Sequence, residues 1–272
     1  MNDSSSISFW LTQATSHLAA TGIPSARLDA ELILSHTLRK GRTWLRAHDD
    51  ELLDARTQEI ADARLALRLD RVPVAYIIGH KEFYGRRFTV TTSTLIPRPE
   101  SEAIIELLGE LEIKDSMRLV DVGTGSGCLG ITAKLEHPAL DVTLIDTSAH
   151  ALAVAKKNAA ALSADVTFLK SDLLSNYPFT SDIILANLPY VDPEWQRSPE
   201  TDHEPSLALF AKDNGLALIK KLIDQSHTKL SKGGHILIEA DRRQHHLITN
   251  YAHQHGLALT VAKGLIVAYQ SM

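Results

Sequence analysis

Apolar residues recur at helical spacing along the first part of the chain. A first helix is predicted by apolar residues that share one face, namely Ile7, Trp10, Leu11, Ala14 and Leu18. Gly22 closes this helix, Pro24-Ser25 opens a second, and a third runs from about Asp54 to Leu69. A bundle this small is only marginally stable alone. We therefore predict a helical domain over residues 1–73 that packs on a larger domain or recognises a partner.

Residues 74–97 are predicted to form a β-hairpin linker. Pro73 marks the boundary, and two β-rich pieces between Tyr76 and Val90 surround a polar middle that contains glycine. The Pro-Arg-Pro segment 97–99 then fixes an extended lead-in to a helix that begins near Ser101. Such a rigid segment either walls a pocket or is a plain linker, and the pattern alone favours neither.

From residue 98 onward, short apolar runs alternate with helical stretches. The helices include 149–162, 213–230 and 242–255, and seven strands are predicted, at 118–122, 142–146, 166–169, 183–186, 235–239, 257–261 and 265–269. Strands separated by helices imply a parallel sheet, whereas the last two are joined by so few residues that they must be antiparallel. The fold class is therefore α/β, with a seven-stranded Rossmann-like domain over residues 98–272.

Composition narrows the class of protein. The chain has 272 residues, of which 44% are hydrophobic and 22% charged, with a net charge of −5 and a pI near 6.2. These values are typical of a globular protein. They argue against a protein that binds bare nucleic acid mainly through its phosphates. The single cysteine, Cys128, cannot form an internal disulfide, and we interpret it as a packed residue. No signal-peptide pattern or apolar run of ~18 residues is found, so we predict a cytoplasmic protein.

Histidines near the C-terminus raise the question of a metal site. His245-His246 and His253-x-His255 lie in a polar helical stretch with no third ligand at a usable spacing. We therefore interpret them as a solvated helix face and expect no metal.

A glycine-rich turn follows the first strand of the α/β domain and leads into a helix through Gly123, Thr124, Gly125, Ser126 and Gly127. Glycines at such a turn let a ligand approach the backbone and present amide N–H groups at a helix N-terminus. Asp146 ends the second strand and suits a ribose diol, while Asp172, after the third strand, suits an adenine amino group. Since the carboxyl ends of parallel strands share one edge of a sheet, these features predict a site for an adenosine-containing ligand.

Asn187-Leu188-Pro189-Tyr190 follows the fourth strand at the same edge. The Asn side chain offers a carbonyl acceptor, the next backbone carbonyl could be a second, and the Tyr ring could cover a flat group. This set suits a planar –NH2 group, in an amide or a base, although a loop that merely ends the strand is the structural alternative. The glycine frame also fits a dinucleotide fingerprint, but we find no hydride-transfer partner. Methyl transfer from S-adenosylmethionine therefore fits better.

Several motifs occur in a characteristic order: Pro73-x-x-Tyr76-Ile77-x-Gly79-x-x-Glu82-Phe83-x-Gly85-x-x-Phe88, Ile96-Pro97-Arg98-Pro99-Glu100-Ser101-Glu102, Asp121-x-Gly123-Thr124-Gly125-Ser126-Gly127, Asn187-x-Pro189-Tyr190 and Glu204-Pro205-x-x-Ala208-Leu209. Together they closely resemble the HemK/PrmC family, the N5-glutamine methyltransferases of peptide chain release factors. The resemblance spans roughly residues 24 to 240.

The resemblance implies a seven-stranded S-adenosylmethionine-dependent methyltransferase whose cofactor leaves as S-adenosylhomocysteine. Residues Gly123 to Gly127 and Asp146 would bind the cofactor, Leu173 would border the adenine, and Asn187 would lie beside the cofactor as well as the substrate.

The implied substrate is the glutamine of the Gly-Gly-Gln motif in a release factor. Catalysis would fall to Asn187, Pro189 and Tyr190, and Leu188 would join them in holding the glutamine amide. The helical domain would help to dock the release factor, and we expect a monomer with no direct nucleic-acid binding.

Two departures from the family pattern leave alternatives open. Leu188 stands where the family has Pro, and Asn-Leu-Pro-Tyr also resembles the motif of ribosomal RNA adenine dimethylases, so an adenine-N6 nucleic-acid methyltransferase remains an alternative. A ribosomal-protein glutamine methyltransferase is a further alternative with the same chemistry. Glu239-Ala240-Asp241 and the segment 262–265 also differ from the family. We expect this tail to alter strand packing or substrate fit rather than class. A non-catalytic, cofactor-binding adaptor of a release factor is the alternative from another class, and the intact Asn187 and Tyr190 argue against it.

Overall fold

The computed structural model describes residues 5–272, so residues 1–4 of the predicted helical domain lie outside the described residues. The chain divides into two compact units. The helical unit comprises residues 5–79 with 198–203, and its helices are α1 (Ile7–Ala20), α2 (Ala26–Leu38), α3 (Arg42–Ala47), α4 (Ala55–Leu69) and α5 (Val74–Ile78). No helix among the described residues is long and apolar enough to cross a membrane.

The helical unit forms because capped, amphipathic helices share one apolar core. Ser6 caps α1 and Asp54 caps α4, each by accepting a backbone N–H of the first turn. The periodic residues of α1 are all buried, and Trp10 donates its indole N–H to Asp62 of α4 over 2.7 Å. The segment 198–203 joins this unit through Glu200, which accepts hydrogen bonds from Arg68 and Arg71.

The predicted hairpin is present but is shifted along the chain. Tyr76-Ile77-Ile78, expected to be β-rich, belongs to helix α5, and the strands are β1 (His80–Phe83) and β2 (Arg86–Thr89). The polar residues expected in the turn thus lie in a strand, because Gly79 ends α5 with φ +75° and Tyr84-Gly85 makes the turn with positive φ at both residues. Val74 and Ile77 of α5 pack against the core of the helical unit, and this packing outweighs the local β propensity of Tyr76-Ile77-Ile78.

The sheet unit comprises residues 80–197 and 204–272. Its helices are α6 (Glu102–Gly109), α7 (Cys128–Glu136), α8 (Ala149–Leu162), α9 (Ser206–Leu209), α10 (Ala217–Lys229) and α11 (His245–Gln254). Its main sheet has seven strands, β3 (Arg118–Val122), β4 (Asp141–Asp146), β5 (Thr167–Lys170), β6 (Ser181–Ala186), β7 (Leu230–Glu239), β8 (Leu257–Lys263) and β9 (Ile266–Ser271). The strand order is β5-β4-β3-β6-β7-β9-β8.

The pairing confirms the predicted fold class. Strands β3 to β7 are parallel, and β9 is antiparallel to both β7 and β8. Side chains alternate between two apolar layers, so Val120 and Val122 pack in one layer and Leu119 packs in the other. From β3 the chain adds β4 and β5 on one side and then returns to add β6 and β7 on the other, so the strand order reverses between β3 and β6. A ligand crevice is expected at the carboxyl ends of these two strands.

Two predicted helices begin later than expected, and the one placed at 242–255 starts at His245. The helix placed at 213–230 starts at Ala217, since Asp213, Asn214 and Gly215 all have positive φ and form a turn. Gly215 is required there, because a Cβ would lie 1.9 Å from the Tyr190 carbonyl oxygen. The turn therefore packs directly on the stretch that begins with Asn187.

Candidate active site

A cavity of about 350 Å³ opens at the carboxyl ends of β3 to β6. Its walls include every predicted cofactor residue except Gly127: Gly123, Thr124, Gly125, Ser126, Asp146, Asp172, Leu173 and Asn187. Leu188 and Pro189 also line it. The strand ends therefore bring together, in the sheet unit alone, residues that are far apart in the chain. The volume falls within the range of about 300–1,000 Å³ that is typical of small-molecule sites.

The glycines of the turn serve different purposes. A Cβ on Gly125 would meet only the Gly123 carbonyl, at 4.0 Å, so this residue leaves open space beside the cavity. A Cβ on Gly127 would lie 2.6 Å from Ile131, and one on Gly123 would lie 2.8 Å from Leu188. All three have positive φ, between +55° and +84°. Gly125 thus admits a ligand, whereas Gly123 and Gly127 permit close packing around it.

Asn158 of α8 holds the turn in place. Its side-chain amide is buried and donates to the Ser126 carbonyl over 2.8 Å and to the Thr89 carbonyl over 3.0 Å. Its carbonyl oxygen accepts the Thr89 N–H over 2.8 Å. The end of strand β2 and the glycine-rich turn are therefore fixed to each other through one side chain.

The acidic residues at the strand ends differ in their surroundings. Asp146 accepts the backbone N–H groups of Gly125 (3.0 Å) and Ser148 (2.8 Å), so its carboxylate is held at the cavity edge. Asp172 is exposed and pairs with Lys221 over 2.5 Å. Leu173 is buried with φ +49° and lines the same wall. Asp146 is thus rigidly oriented, whereas Asp172 must leave or share its lysine partner to contact a ligand.

Asp121 lies beneath the glycine-rich turn and is fully buried. Its Oδ2 accepts the Thr124 hydroxyl and the Gly130 N–H, while its Oδ1 has no hydrogen-bond partner among the described residues. Burial raises the pKa of Asp121 to about 6, and the two hydrogen bonds offset this only in part. The carboxyl group therefore supports the turn at an electrostatic cost.

Asn187 belongs to a hydrogen-bond network that sets its orientation. Its side-chain –NH2 donates to Ser101 Oγ over 3.0 Å and to Glu239 Oε2 over 3.1 Å. Since a carboxylate only accepts hydrogen bonds, the –NH2 must face Glu239 and the carbonyl oxygen must point the other way. That oxygen makes no hydrogen bond within residues 5–272, and Asn187 lines the cavity. Asn187 therefore carries an acceptor that remains available to a ligand.

Glu239 ends strand β7 and is the centre of this network. Besides Asn187, it accepts the Ser101 hydroxyl and, over 2.9 Å, the Tyr190 hydroxyl. Burial raises the pKa of Glu239, and the hydrogen bonds from Ser101 and Tyr190 lower it in part. Burial beside this carboxyl group also raises the pKa of Tyr190, so its phenol stays protonated and donates a hydrogen bond to Glu239. Tyr190 is thus tied to Glu239, and its predicted packing on a substrate amide stays a prediction.

Leu188 is buried, and its side chain contacts the glycine-rich turn at Gly123. Leu at this position therefore fills space beside the turn, and its backbone carbonyl is still present as an acceptor. The loop is held from behind by Gln244, which donates to the Tyr190 carbonyl and to the Asn214 carbonyl, each over 2.8 Å.

The Pro-Arg-Pro segment 97–99 forms part of the cavity wall. It is therefore not the plain linker that was the alternative interpretation. Leu95, Pro97 and Arg98 line the cavity. Glu204 holds them, because its buried carboxylate accepts the Ile96 N–H over 3.1 Å and forms an ion pair with Arg98.

Two residues that hydrogen-bond to Asn187 were not predicted, namely Ser101 and Glu239. They lie 86 and 52 residues from Asn187 in the chain, so no local motif connects them. One signal was available, since Glu239 ends a strand just as Asp146 does. Glu239 belongs to the tail that we expected to affect only strand packing or substrate fit, yet it contacts Asn187 and Tyr190 directly.

The rest of that tail also supports the loop after Tyr190. The Asp241 carboxylate accepts two hydrogen bonds from the Arg243 guanidinium, over 2.8 and 2.9 Å, and this guanidinium lies 3.6 Å from the centre of the Trp195 ring. The departure from the family pattern at residue 241 therefore has a structural role beside the site.

Cys128 lines the cavity, but burial raises the pKa of its thiol to about 12, which makes it a poor nucleophile. Residues 5–272 contain no group of three or more His, Cys, Asp or Glu side chains placed to hold a metal ion.

Comparisons with known proteins agree with this geometry. The family model of the PrmC N-terminal domain matches residues 10–79, and that of the methyltransferase small domain matches residues 101–202. The release factor glutamine methyltransferase of Koribacter versatilis is 41% identical over 232 residues, which cover 83% of each chain. Those of Deinococcus radiodurans and Escherichia coli are 37% and 34% identical over 237 residues, covering 86% and 85% of this chain and 85% and 84% of theirs.

Solved structures show the same fold at low identity. A methyltransferase from Pyrococcus furiosus has a TM-score of 0.55 at 15% identity and covers 78% of this chain and 98% of its own. The 16S rRNA N2 G1207 methyltransferase of Thermus thermophilus, solved with AdoMet and guanosine, has a TM-score of 0.53 at 15% identity and covers 71% of this chain and 50% of its own.

The sheet and its strand-end cavity define a Rossmann-like fold, and the match to the methyltransferase small domain model places the sheet unit among the methyltransferases. Within that class, the extent and identity of the curated matches are specific: the chain belongs to the release factor glutamine methyltransferase family.

Proposed function

We propose that this chain transfers a methyl group from S-adenosylmethionine to the side-chain amide nitrogen, N5, of the glutamine in the Gly-Gly-Gln motif of a peptide chain release factor. The observation that carries the proposal is the fixed orientation of Asn187, whose –NH2 faces Ser101 and Glu239 and whose carbonyl oxygen is left for a ligand N–H. The curated relatives with the name of this activity match most of the chain.

The cavity suits the proposed cofactor. Gly125 leaves room for a ligand against the backbone, and Asp146 presents an oriented carboxylate where a ribose diol would lie. Leu173 offers an apolar wall for the adenine, and the Asp146 carboxylate favours a ligand with positive charge. When bound, S-adenosylmethionine supplies a methyl group activated by a sulfonium.

The Asn187 stretch would orient the substrate. An amide nitrogen is a poor nucleophile, because its lone pair is delocalised into the carbonyl. If Asn187 Oδ1 and the Leu188 carbonyl each accept one N–H of the glutamine amide, the nitrogen is held in one orientation and the positive charge that grows on it is stabilised. Pro189 restrains this backbone, since its ring fixes φ.

The chain needs no strong base for this reaction. The methylated nitrogen becomes acidic as its charge grows, so its proton can leave to water after the transfer. The nearby carboxyl group, Glu239, is already occupied by three donors and lies behind Asn187. Its part is to orient Asn187 and Tyr190 rather than to accept the proton.

We also propose partners, an oligomeric state and a location for the chain. The release factor is the protein substrate, the helical unit contributes to its docking, and the chain acts as a monomer in the cytoplasm without direct nucleic-acid binding. The net charge of −5 supports a protein rather than a nucleic-acid partner.

Incubation with cofactor labelled in the methyl group tests the proposal, with either a release factor or bare ribosomal RNA as acceptor. We expect label on the release factor, and peptide mass spectrometry should place it on the Gly-Gly-Gln glutamine. Label on RNA alone would favour the adenine-N6 alternative. Tight binding of the release factor and cofactor without any transfer would favour the adaptor.

A further inference from the structure

Three arginines surround one buried glutamate in the helical unit. Arg27 Nε lies 2.9 Å from Glu31 Oε1, Arg42 Nε lies 2.7 Å from Oε2, and an Arg46 terminal nitrogen lies 3.6 Å from Oε2. The Glu31 side chain is only 5% exposed, whereas those of Arg27, Arg42 and Arg46 are 51%, 42% and 66% exposed. We call these three arginines the arginine cluster.

The arginine cluster has more positive charge than the fold requires. Two good hydrogen bonds, from Arg27 and Arg42, already satisfy both oxygens of Glu31. Arg46 adds a third cation near the same carboxylate, so three exposed guanidinium groups share one buried carboxylate as their ion-pair partner. Such crowding is unfavourable in isolation. An anionic partner would relieve it.

The charge of the surrounding sequence differs on the two sides of helix α3. Basic residues precede and accompany α3, whereas acidic residues follow it. Residues 39–46 contain four basic residues and no acidic one, and Lys40 lies 5.2 Å from the Trp44 ring centre. Directly after helix α3, residues 49–54 contain four acidic residues and no basic one. The surface therefore changes sign within a few residues.

This change of sign identifies the kind of partner. A nucleic-acid backbone carries a uniform series of negative charges, and a stretch long enough to bind well would also meet the acidic residues of 49–54. A short acidic segment of a protein can instead contact the arginine cluster alone, and basic groups beside it can meet the acidic run.

The arginine cluster is also prepared for binding. Glu31 already holds the Arg27 and Arg42 guanidinium groups, so less side-chain freedom is lost when a partner binds. A guanidinium presents a planar pair of donors that matches a carboxylate.

We propose that the arginine cluster is a docking site for an acidic segment of the release factor outside the Gly-Gly-Gln motif. The inference rests on the proposed function and adds to it a contact in the helical unit that contributes to substrate affinity rather than to chemistry.

The test compares two double variants that remove the same charge. Arg27→Gln/Arg46→Gln neutralises the cluster and leaves Arg42 to satisfy Glu31. Arg56→Gln/Lys232→Gln removes two exposed positive charges elsewhere, since Arg56 is 73% exposed on α4 and Lys232 is exposed at the start of β7. Initial rates of methylation are measured against the concentration of full-length release factor at low salt and at about 1 M salt, where the Debye length falls to about 3 Å.

We expect the cluster variant to raise KM for the release factor about tenfold at low salt with kcat unchanged, and the control to change KM less than about twofold. At high salt the KM values of all three proteins should converge. If thermal denaturation shows that the double variant is poorly folded, Arg46→Gln alone, which removes only the 3.6 Å contact, should still raise KM two- to fourfold by the same reasoning.

Several outcomes would overturn the proposal. An unchanged KM in the cluster variant, an equal rise in the control, or a loss confined to kcat would each exclude a docking role. Loss of ribosomal RNA binding in the cluster variant, with KM for the release factor unchanged, would assign the surface to RNA. Failure of the wild-type protein to methylate the release factor would reject the proposed function itself, which separates the two failures.

Discussion

Replacement of Glu239 by alanine tests the network that orients Asn187. In the wild-type protein the Glu239 carboxylate accepts from Asn187, so an inverted Asn187 would lose that bond and set two oxygens against each other. Without Glu239, the remaining partner is the Ser101 hydroxyl, which can donate as well as accept and favours neither orientation. Both orientations of Asn187 then have similar free energies.

The size of the effect follows from two losses. Equal population of two orientations removes about half of the productive state. Ordering the released Asn187 side chain on substrate binding costs about 0.5–1.5 kcal/mol, which is about 2- to 12-fold at 1.4 kcal/mol per factor of ten. We therefore expect Glu239→Ala to lower kcat/KM for the release factor by about 5- to 25-fold.

The assay combines steady-state methylation of the release factor with calorimetric binding of the cofactor. Glu239 does not line the cavity, so the affinity for S-adenosylmethionine should stay within about twofold of wild type. Glu239→Gln is the matched variant, because its carbonyl can accept from Asn187 and Ser101 while its –NH2 donates to Tyr190. It should recover most of the rate. Full activity of a folded Glu239→Ala protein, or equal losses in both variants, would refute the reasoning.

Three further predictions concern the turn, the buried carboxyl group and the loop. Gly125→Ala should weaken cofactor binding and cost roughly 1–2 kcal/mol of stability from its positive φ, whereas Gly127→Ala, which brings Cβ to 2.6 Å from Ile131, should lower the melting temperature more. Because burial raises the pKa of folded Asp121 from 3.8 to about 6, the folded state binds more protons than the unfolded chain between these values. The free energy of unfolding relative to Asp121→Asn should therefore fall by on the order of 3 kcal/mol from pH 4 to pH 7 in urea titrations. Tyr190→Phe removes one bond to Glu239 but none to Asn187, so steady-state assays should show a smaller loss of kcat/KM than for Glu239→Ala.

Most of the sheet unit could be predicted from its sequence, because the patterns that determine its strands and helices lie within short stretches of the chain. Apolar runs alternate with amphipathic stretches, and the helix 149–162 and the strand 118–122 occur where the pattern predicts them. Parallel pairing then brings the ends of β3, β4 and β6 to one edge. The predicted cofactor residues other than Gly127 therefore border one cavity, and this could be predicted without knowledge of side-chain contacts.

What the sequence did not predict depends on contacts between distant residues. Tyr76-Ile77-Ile78 has β propensity but is helical, since Val74 and Ile77 of α5 pack against the core of the helical unit. The role of Glu239 depends on its meeting Asn187 across the β6–β7 pair, where Ala186 lies opposite Ile238. The pairing of Asp172 with Lys221 likewise becomes visible only when α10 packs beside the cavity.

We propose that the Asn187 carbonyl holds the glutamine amide in the orientation that reacts. Single-turnover methylation of a release factor by Asn187→Ala, with cofactor affinity measured on the same protein, tests it most directly. Loss of one oriented acceptor to a charge that develops in the transition state should slow methylation by about 100- to 1,000-fold, as for other donors and acceptors of this kind, while the Kd for S-adenosylmethionine changes little. A rate near that of the wild-type protein would contradict the account, as would a loss explained entirely by weaker cofactor binding.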